Sequence, residues 1–239
     1  MINVQGEACL ALLQQHNETV AEAVPGSRVA ANLTGIEKKD LSRGDVLARH
    51  STLATTRRID AHVRVVPSAA RPLRHGAELM LHTGTAEVGA RAIVLDGDSI
   101  DAGGAGWVQL YLDHAIAAAA QDRFVLRVPS PASTVGGGRF ADVAPRKHPR
   151  HDAATRAWLQ SRAAGNVLQE ELRKYPRGVS VAAFLKASLA AEPDLSRLEA
   201  RRVGDWIFDA EAWSAFAERA RGELDAYQGS AHHRSAAGC

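Results

Sequence analysis

Short β-type runs, each closed off by turn residues, recur along the first two-thirds of this chain, and nothing else in it restricts the fold so strongly. Arg28–Leu33, Asp60–Val66, Glu78–His82, Ala90–Leu95, Gly106–Leu112, Arg123–Val128 and Gly138–Ala141 are broken by Pro25-Gly26, Asp96-Gly97, Gly103-Gly104 and Pro129-Ser130-Pro131. Such strands expose unpaired backbone groups at sheet edges, and closing the sheet on itself removes those edges. Up to about Arg146 the pattern therefore predicts an antiparallel barrel or sandwich.

Past "APRKHPRH" (Ala144–His151) the residues change to alanine, leucine and charge at helical spacing. "AGNVLQEELRKYP" predicts a helix ended by Pro176, because proline disfavours helical backbone in the residue before it. In "SVAAFLKASLA" Ser180 is placed as an N-cap. A short helix near "DLSRLE", two strands of "LEARRVGDWIFD" joined at Gly204-Asp205, and a helix in "AEAWSAFAERARGELDAYQ" complete a winged-helix pattern. Tyr175, Phe184, Leu185, Leu189, Trp206, Ile207, Phe208, Trp213 and Phe216 fall at core spacing there. The tail "GSAHHRSAAGC" has no periodicity and reads as a frayed end. The expected fold class is mixed, mainly β followed by α+β.

With 239 residues, 46% hydrophobic and 23% charged, the chain has material for roughly two domains. A net charge of +2 and pI near 8.7 are too weakly basic to mark a nucleic-acid binder, so local clusters must carry that case. Cys9 and Cys239 lie at opposite ends without zinc or redox spacing. No apolar run reaches the ~20 residues of a membrane span, and no signal peptide opens the chain, so no membrane partner and a cytoplasmic location are expected. No Ser-His-Asp signature, HExxH, paired catalytic carboxylates or metal-ligand cluster is present, and His232-His233 in the tail reads as a solvated pair rather than a ligand set. No catalytic or metal-binding residue is expected.

Four stretches, "HNETVAEAVPGSRVAANLTGIEKKDLSRGDVLA", "LRHGAELMLHTGTAEVGARAIVLD", "QLYLDHAIAAAAQDRFVLRVPSPASTVGGGRFADVAPRKH" and, more loosely, the winged-helix pattern, resemble the bacterial selenocysteine-specific elongation factors (SelB) from about His16 to Tyr227. The resemblance implies elongation factor Tu-like β-barrels, the first incomplete (1–50, the end of domain II), the second whole (53–147, domain III), then a winged-helix domain (152–228) and a disordered tail (229–239). Complete members use GTP and Mg²⁺, but no G-x-x-x-x-G-K-[ST] occurs here, and "STVGGGRF" lacks its Lys-Ser/Thr ending. No GTP hydrolysis and no cofactor are expected of this chain; a truncation, a frameshift or a partial reading frame would each account for its extent.

The resemblance further implies selenocysteyl-tRNA and the ribosome as partners, with delivery at recoded UGA codons. The messenger-RNA selenocysteine insertion hairpin is a partner only of complete members. Arg28 occupies the family position where a guanidinium would meet the ionised selenol; the alternative is a solvated residue at a strand start. Phosphate contacts need cations and small donors on loops, which points to His82, Thr85, Arg91, Arg123, Arg127, Ser130 and Thr134, with Arg146 and Lys147 in the linker. Arg123 has the alternative of an ion pair with Asp122 or Asp142, His82 that of a backbone hydrogen bond, and the linker that of a solvated hinge. The competing overall reading is a free-standing RNA-binding or interaction module, or a nonfunctional truncated remnant.

Overall fold

A computed structural model describes residues 2–3, 6–48, 53, 55–130, 132–188, 190 and 192–236. Leu189, Cys239 and the terminal residues 49–50 and 237–239 of the expected segments lie outside the described residues, as does Pro131 within "SPAST". The chain divides into two units, Met1–Gly165 and Asn166–Cys239.

The first unit opens with a two-stranded pair, β1 (Ile2–Asn3) and β2 (Gly6–Glu7). A three-stranded antiparallel sheet follows, made of β3 (Cys9–Gln15), β4 (Glu18–Val20) and β5 (Ala30–Thr34) in the order β4-β3-β5. His16 and Asn17 form the β3–β4 turn at φ 53° and 68°, the left-handed values that a two-residue hairpin of this twist demands. The strand expected at Arg28–Leu33 begins two residues later and is exposed over most of its length, not buried.

Next come β6 (Thr55–Val65), β7 (Leu73–Arg74), β8 (Ala77–Thr83), β9 (Ala86–Val94), β10 (Ser99–Ile100), β11 (Ala105–Ala117), β12 (Arg123–Val128) and β13 (Ser133–Asp142). Six of them close into an antiparallel barrel in the order β11-β6-β13-β12-β8-β9, with β11 pairing β9 to complete the ring, while β7 and β10 form a separate pair. Alternation sets the core: Ile59, Ala61 and Val63 of β6, Val88, Ala90 and Ala92 of β9, and Val108 and Leu110 of β11 all point inward. Phe124 and Phe140 stack inside with ring centroids 4.9 Å apart. Glycine is required in β13, because a Cβ on Gly136 or Gly138 would run into the carbonyl oxygen of Arg64 or His62 on β6.

Helix α1 (Ala153–Ala163) is capped by Asp152, whose carboxylate accepts from the Thr155 N–H at 3.0 Å. Its Leu159 is buried with Leu95, Trp107 and Ala141 of the barrel. This corrects the domain boundary expected at 152: α1 belongs to the barrel unit because its apolar side is matched by apolar residues on the barrel's outer surface.

In the second unit, α2 (Val167–Arg173), β14 (Val179–Ser180), α3 (Val181–Ser188), a 3₁₀ turn (Glu192–Arg197), β15 (Ala200–Val203), β16 (Trp206–Asp209) and α4 (Ala210–Ala236) follow the expected order. β14, β16 and β15 form one antiparallel sheet. Leu172, Val179, Val181, Phe184 and Ile207 are its core. Ser180 Oγ accepts from the Ala183 N–H at 3.3 Å, and Asp209 Oδ1 from the Glu211 and Ala212 N–H groups at the start of α4. Trp206 and Phe216, expected in the core, are 51% and 55% exposed: strand alternation puts Trp206 on the face opposite the buried Ile207, and Phe216 ends a ring series that runs from Phe208 through Trp213. The expected frayed tail is also corrected: α4 continues through Ala236, since extending a nucleated helix through alanine-rich sequence without proline adds a hydrogen bond per residue.

Candidate nucleic-acid interface

Strand register sorts the expected contact residues into groups. On β12 the inward residues are Phe124 and Leu126, which leaves Arg123, Val125 and Arg127 on the alternate face. Val125 pairs with His82 and Arg127 with Met80 on β8, while Glu78 of β8 pairs with Arg91 of β9. Arg127, Arg91, Ser130 and Thr134 therefore lie toward one end of the β8–β12 pair, and Arg123, His82 and Thr85 toward the other. Arg123 and Arg127 are four residues apart on one strand, a separation of roughly 13 Å.

The first end is open. A groove of about 650 Å³ is lined by Ser130, Ser133 and Thr134 from the β12–β13 connection and by Arg71, Arg74 and Glu78 around β7 and β8. Its floor is apolar, with Leu73, Leu79, Val128 and Val135. Arg127 stands opposite Thr134 in the β12–β13 register, and its buried Nε has no hydrogen-bond partner. Arg91 is committed elsewhere, to an exposed ion pair with Glu78 at 3.1 Å. Arg71 and Arg74 escaped the sequence reading because they lie in an irregular stretch; their nearness to Ser130 is a tertiary fact.

At the second end Thr85 is exposed in the two-residue β8–β9 turn with Gly84. The His82 ring lies 3.9 Å from the Glu87 carboxylate, and this cross-strand neighbour takes the place of the backbone partner considered for it. Thr83 Oγ1 donates to the Arg123 carbonyl at 3.0 Å. The Arg123 guanidinium pairs with neither Asp122 nor Asp142: Asp122 Oδ2 accepts from the Ala119 N–H at 2.9 Å, and Asp142 lies 3.6 Å from Arg162. In the N-terminal segment Gly44, at φ 106°, sits against Ala86, where a Cβ would come within 3.0 Å of the Ala86 Cα.

The linker is no solvated hinge. Asp60, fully buried on β6, binds His148 Nε2 at 2.6 Å and accepts from Gln109 Nε2 at 2.8 Å. Gln109 Nε2 also donates to the Arg146 carbonyl, and Tyr111 donates to Gln109 Oε1. Arg150 reaches the Gly97 carbonyl and Asp98, both at 2.6 Å. Burial pushes the Asp60 carboxyl above its ordinary range, and the hydrogen bond and charge of His148 oppose that rise. The Arg146 and Lys147 side chains stay exposed on this fixed strap.

Arg28 is exposed just before β5, after a turn in which Gly26 has φ 84° and Ser27 Oγ donates to the Val24 carbonyl at 2.6 Å. It shares no groove with the barrel candidates among the described residues.

The "GGG" of "STVGGGRF" is strand, its positions fixed by the carbonyls of β6 and β12, so this run does not fit the phosphates of GTP. Among the described residues no helix is long and apolar enough to cross a membrane.

Residues 60–147 match the family model described as the beta-barrel domain of selenocysteine-specific elongation factor. The selenocysteine-specific elongation factor of Desulfomicrobium baculatum is 32% identical over 185 residues, covering 77% of this chain and 29% of that protein. That of Haemophilus influenzae is 22% identical over 204 residues, covering 82% and 32%. Elongation factor 1-alpha of Archaeoglobus fulgidus is 29% identical over 83 residues, covering 35% of this chain and 20% of its own length. The chain thus spans about a third or less of these relatives. Residues 60–147 are a β-barrel domain of the selenocysteine-specific elongation factor family.

Proposed function

We propose that this chain acts within selenocysteine insertion, as the part of an elongation factor that holds selenocysteyl-tRNA for delivery to the ribosome at recoded UGA codons. The observation that carries the reading is the open groove at the barrel end. There Arg71 and Arg74 stand with the hydroxyls of Ser130, Ser133 and Thr134 over an apolar floor. Guanidinium forks and small hydroxyl donors are the groups that bind phosphate oxygens, and they fix a helix arm by its backbone without reading its sequence.

Arg28 is the proposed partner of the selenol. A selenolate is a soft anion, and a guanidinium stays charged, offers several donors in one plane and loses less hydration than an ammonium when partly covered. Arg127, Ser130 and Thr134 belong to the groove end. Arg91, held by Glu78, contributes little, and Arg146 and Lys147 offer a second, electrostatic contact from the strap. The second unit is proposed to be a winged-helix module that spaces the barrel from other RNA contacts. The glycine run of β13 is strand, and no nucleotide-driven step is assigned to it.

Two measurements test the reading. Arg71→Gln/Arg74→Gln should weaken tRNA binding by the chain and lower its salt dependence; unchanged binding rejects the groove. Arg28→Ala, placed in a complete factor of this family, should reduce preference for selenocysteyl-tRNA over its seryl precursor, whereas equal loss for both removes Arg28 from the selenol site.

A further inference from the structure

The outer face of β12, β13 and β6 carries a cluster that the barrel-end groove does not use. Register places Arg123 opposite Arg139 and Arg139 opposite His62, one row across three strands, with Gly137 opposite Arg64 one step along. The row spans roughly 10 Å at the usual strand spacing. Arg64, Arg123 and Arg139 are exposed, and none of the three takes part in an ion pair or side-chain hydrogen bond among the described residues. Like charges directly opposite on neighbouring strands repel, so the Arg123–Arg139 pair costs the fold stability that a bound anion would restore.

The face is also shaped. A groove of about 240 Å³ is bordered by His62, Arg64 and Arg139, with Gln121 and Ala163 at its edge and Gly137 and Gly138 in its floor. Gly137 has no side chain because a Cβ there would run into the Phe124 carbonyl oxygen, and this leaves the centre of the cationic patch open. The His62 ring packs edge-on against Trp107 at 4.8 Å, which fixes it at the groove wall. Burial, and then the Arg64 charge, hold the His62 imidazole below its ordinary range, so near neutral pH it acts as a hydrogen-bonding ring rather than a further cation.

We infer that this groove is a further RNA contact, in which Arg64 and Arg139, extended by Arg123, bind backbone phosphates. Guanidinium planes can in addition stack on unpaired bases, which suits single-stranded RNA better than a carboxylate-rich peptide. The site is separate from the barrel-end groove in residues and position, and does not require an aminoacyl group.

The test is anisotropy of a labelled single-stranded RNA oligonucleotide without an aminoacyl end, titrated with the full chain over a range of salt. Arg64→Gln/Arg139→Gln should lower the slope of log K against log salt by about 1.4, about 0.7 for each phosphate no longer neutralised. Arg64→Lys/Arg139→Lys should restore it. Because these side chains are exposed, thermal unfolding should not fall below that of the parent and should rise slightly as the Arg123–Arg139 repulsion is removed, and the lysine pair reports the same contact by charge alone. The inference is overturned by an unchanged slope in the glutamine pair, or if millimolar inorganic phosphate or a polyglutamate peptide displaces the RNA as readily as unlabelled RNA does. Arg71→Gln/Arg74→Gln separates the two sites: its effect should add to that of the outer-face pair, so either site can fail alone.

Discussion

The barrel and the N-terminal sheet are both antiparallel and both belong to the first unit, yet they differ in how they hold apolar residues. In the barrel, closure gives every strand two neighbours and an inside, and residues such as Val63, Leu81, Leu110, Leu126 and Phe140 are fully buried. The β4-β3-β5 sheet has two free edges and, among the described residues, no buried side chain within its strands. Identical hydrogen-bond ladders thus give a rigid body in one region and a thin, half-covered layer in the other. Curvature that closes makes the difference, because it turns one face of each strand into a shared core.

Mutations of unequal cost sharpen that contrast. Phe140→Ala should cost about 3–5 kcal/mol through lost burial and a residual cavity. Leu33→Ala in the half-covered sheet should cost roughly 1 kcal/mol, in proportion to the smaller area removed from water. Equal shifts in the denaturation midpoint would break the distinction. Hydrogen exchange reads the same difference without mutation: amides of β6, β11 and β13 should be protected well beyond those of β3 and β5.

The strap comes next in size. His148→Ala leaves the buried Asp60 carboxyl without its 2.6 Å hydrogen-bond partner, a loss of about 2 kcal/mol. Because the folded-state pKa of Asp60 is raised, its contribution to stability is fully present below the ordinary carboxylate pKa and is lost as pH rises through the folded value. Removing His148 raises that value further, so the variant's deficit should grow with pH and shrink on acidification. A pH-independent deficit in thermal melts would refute the coupling.

Smaller effects follow at the surface. The Thr155 hydroxyl and N–H hold the Asp152 carboxyl below its ordinary range, so its capping contribution is present above the ordinary carboxylate pKa and is lost as pH falls through the depressed value. Asp152→Ala should loosen α1, seen as lower helix protection, and the difference from the parent should vanish in acid. Arg91→Gln should change stability by no more than about 0.5 kcal/mol, because its pair with Glu78 is exposed on both sides.

How far the sequence is legible varies with the range of the interaction involved. The barrel strands are readable because alternation is local: "RAIVL" and "RFVLRV" each declare an inner face. The β3–β4 hairpin went unread, although His16-Asn17 offers the left-handed turn signal, because the flanking residues do not alternate cleanly. Trp206 and Phe216 were misplaced for the opposite reason: helical and strand spacing predict a core only when another element covers the face. Among the contact candidates, Ser130 and Thr134 are visible as loop donors, whereas Arg71 and Arg74 gain meaning only from their position around the groove.

The order of elements, the alternation that defines an inside, the stop at Pro176 and the cap at Ser180 were fixed by neighbours along the chain, since backbone preference and side-chain period act over a few residues. Which strands meet, and therefore which arginines share a face, was decided only by closure. Arg64, Arg123 and Arg139 are far apart in sequence and become neighbours because β6 and β12 both pair with β13. The same holds for the strap, whose histidine finds a carboxylate 88 residues away. A buried charge requires a partner, and only the folded barrel sets which one is within reach.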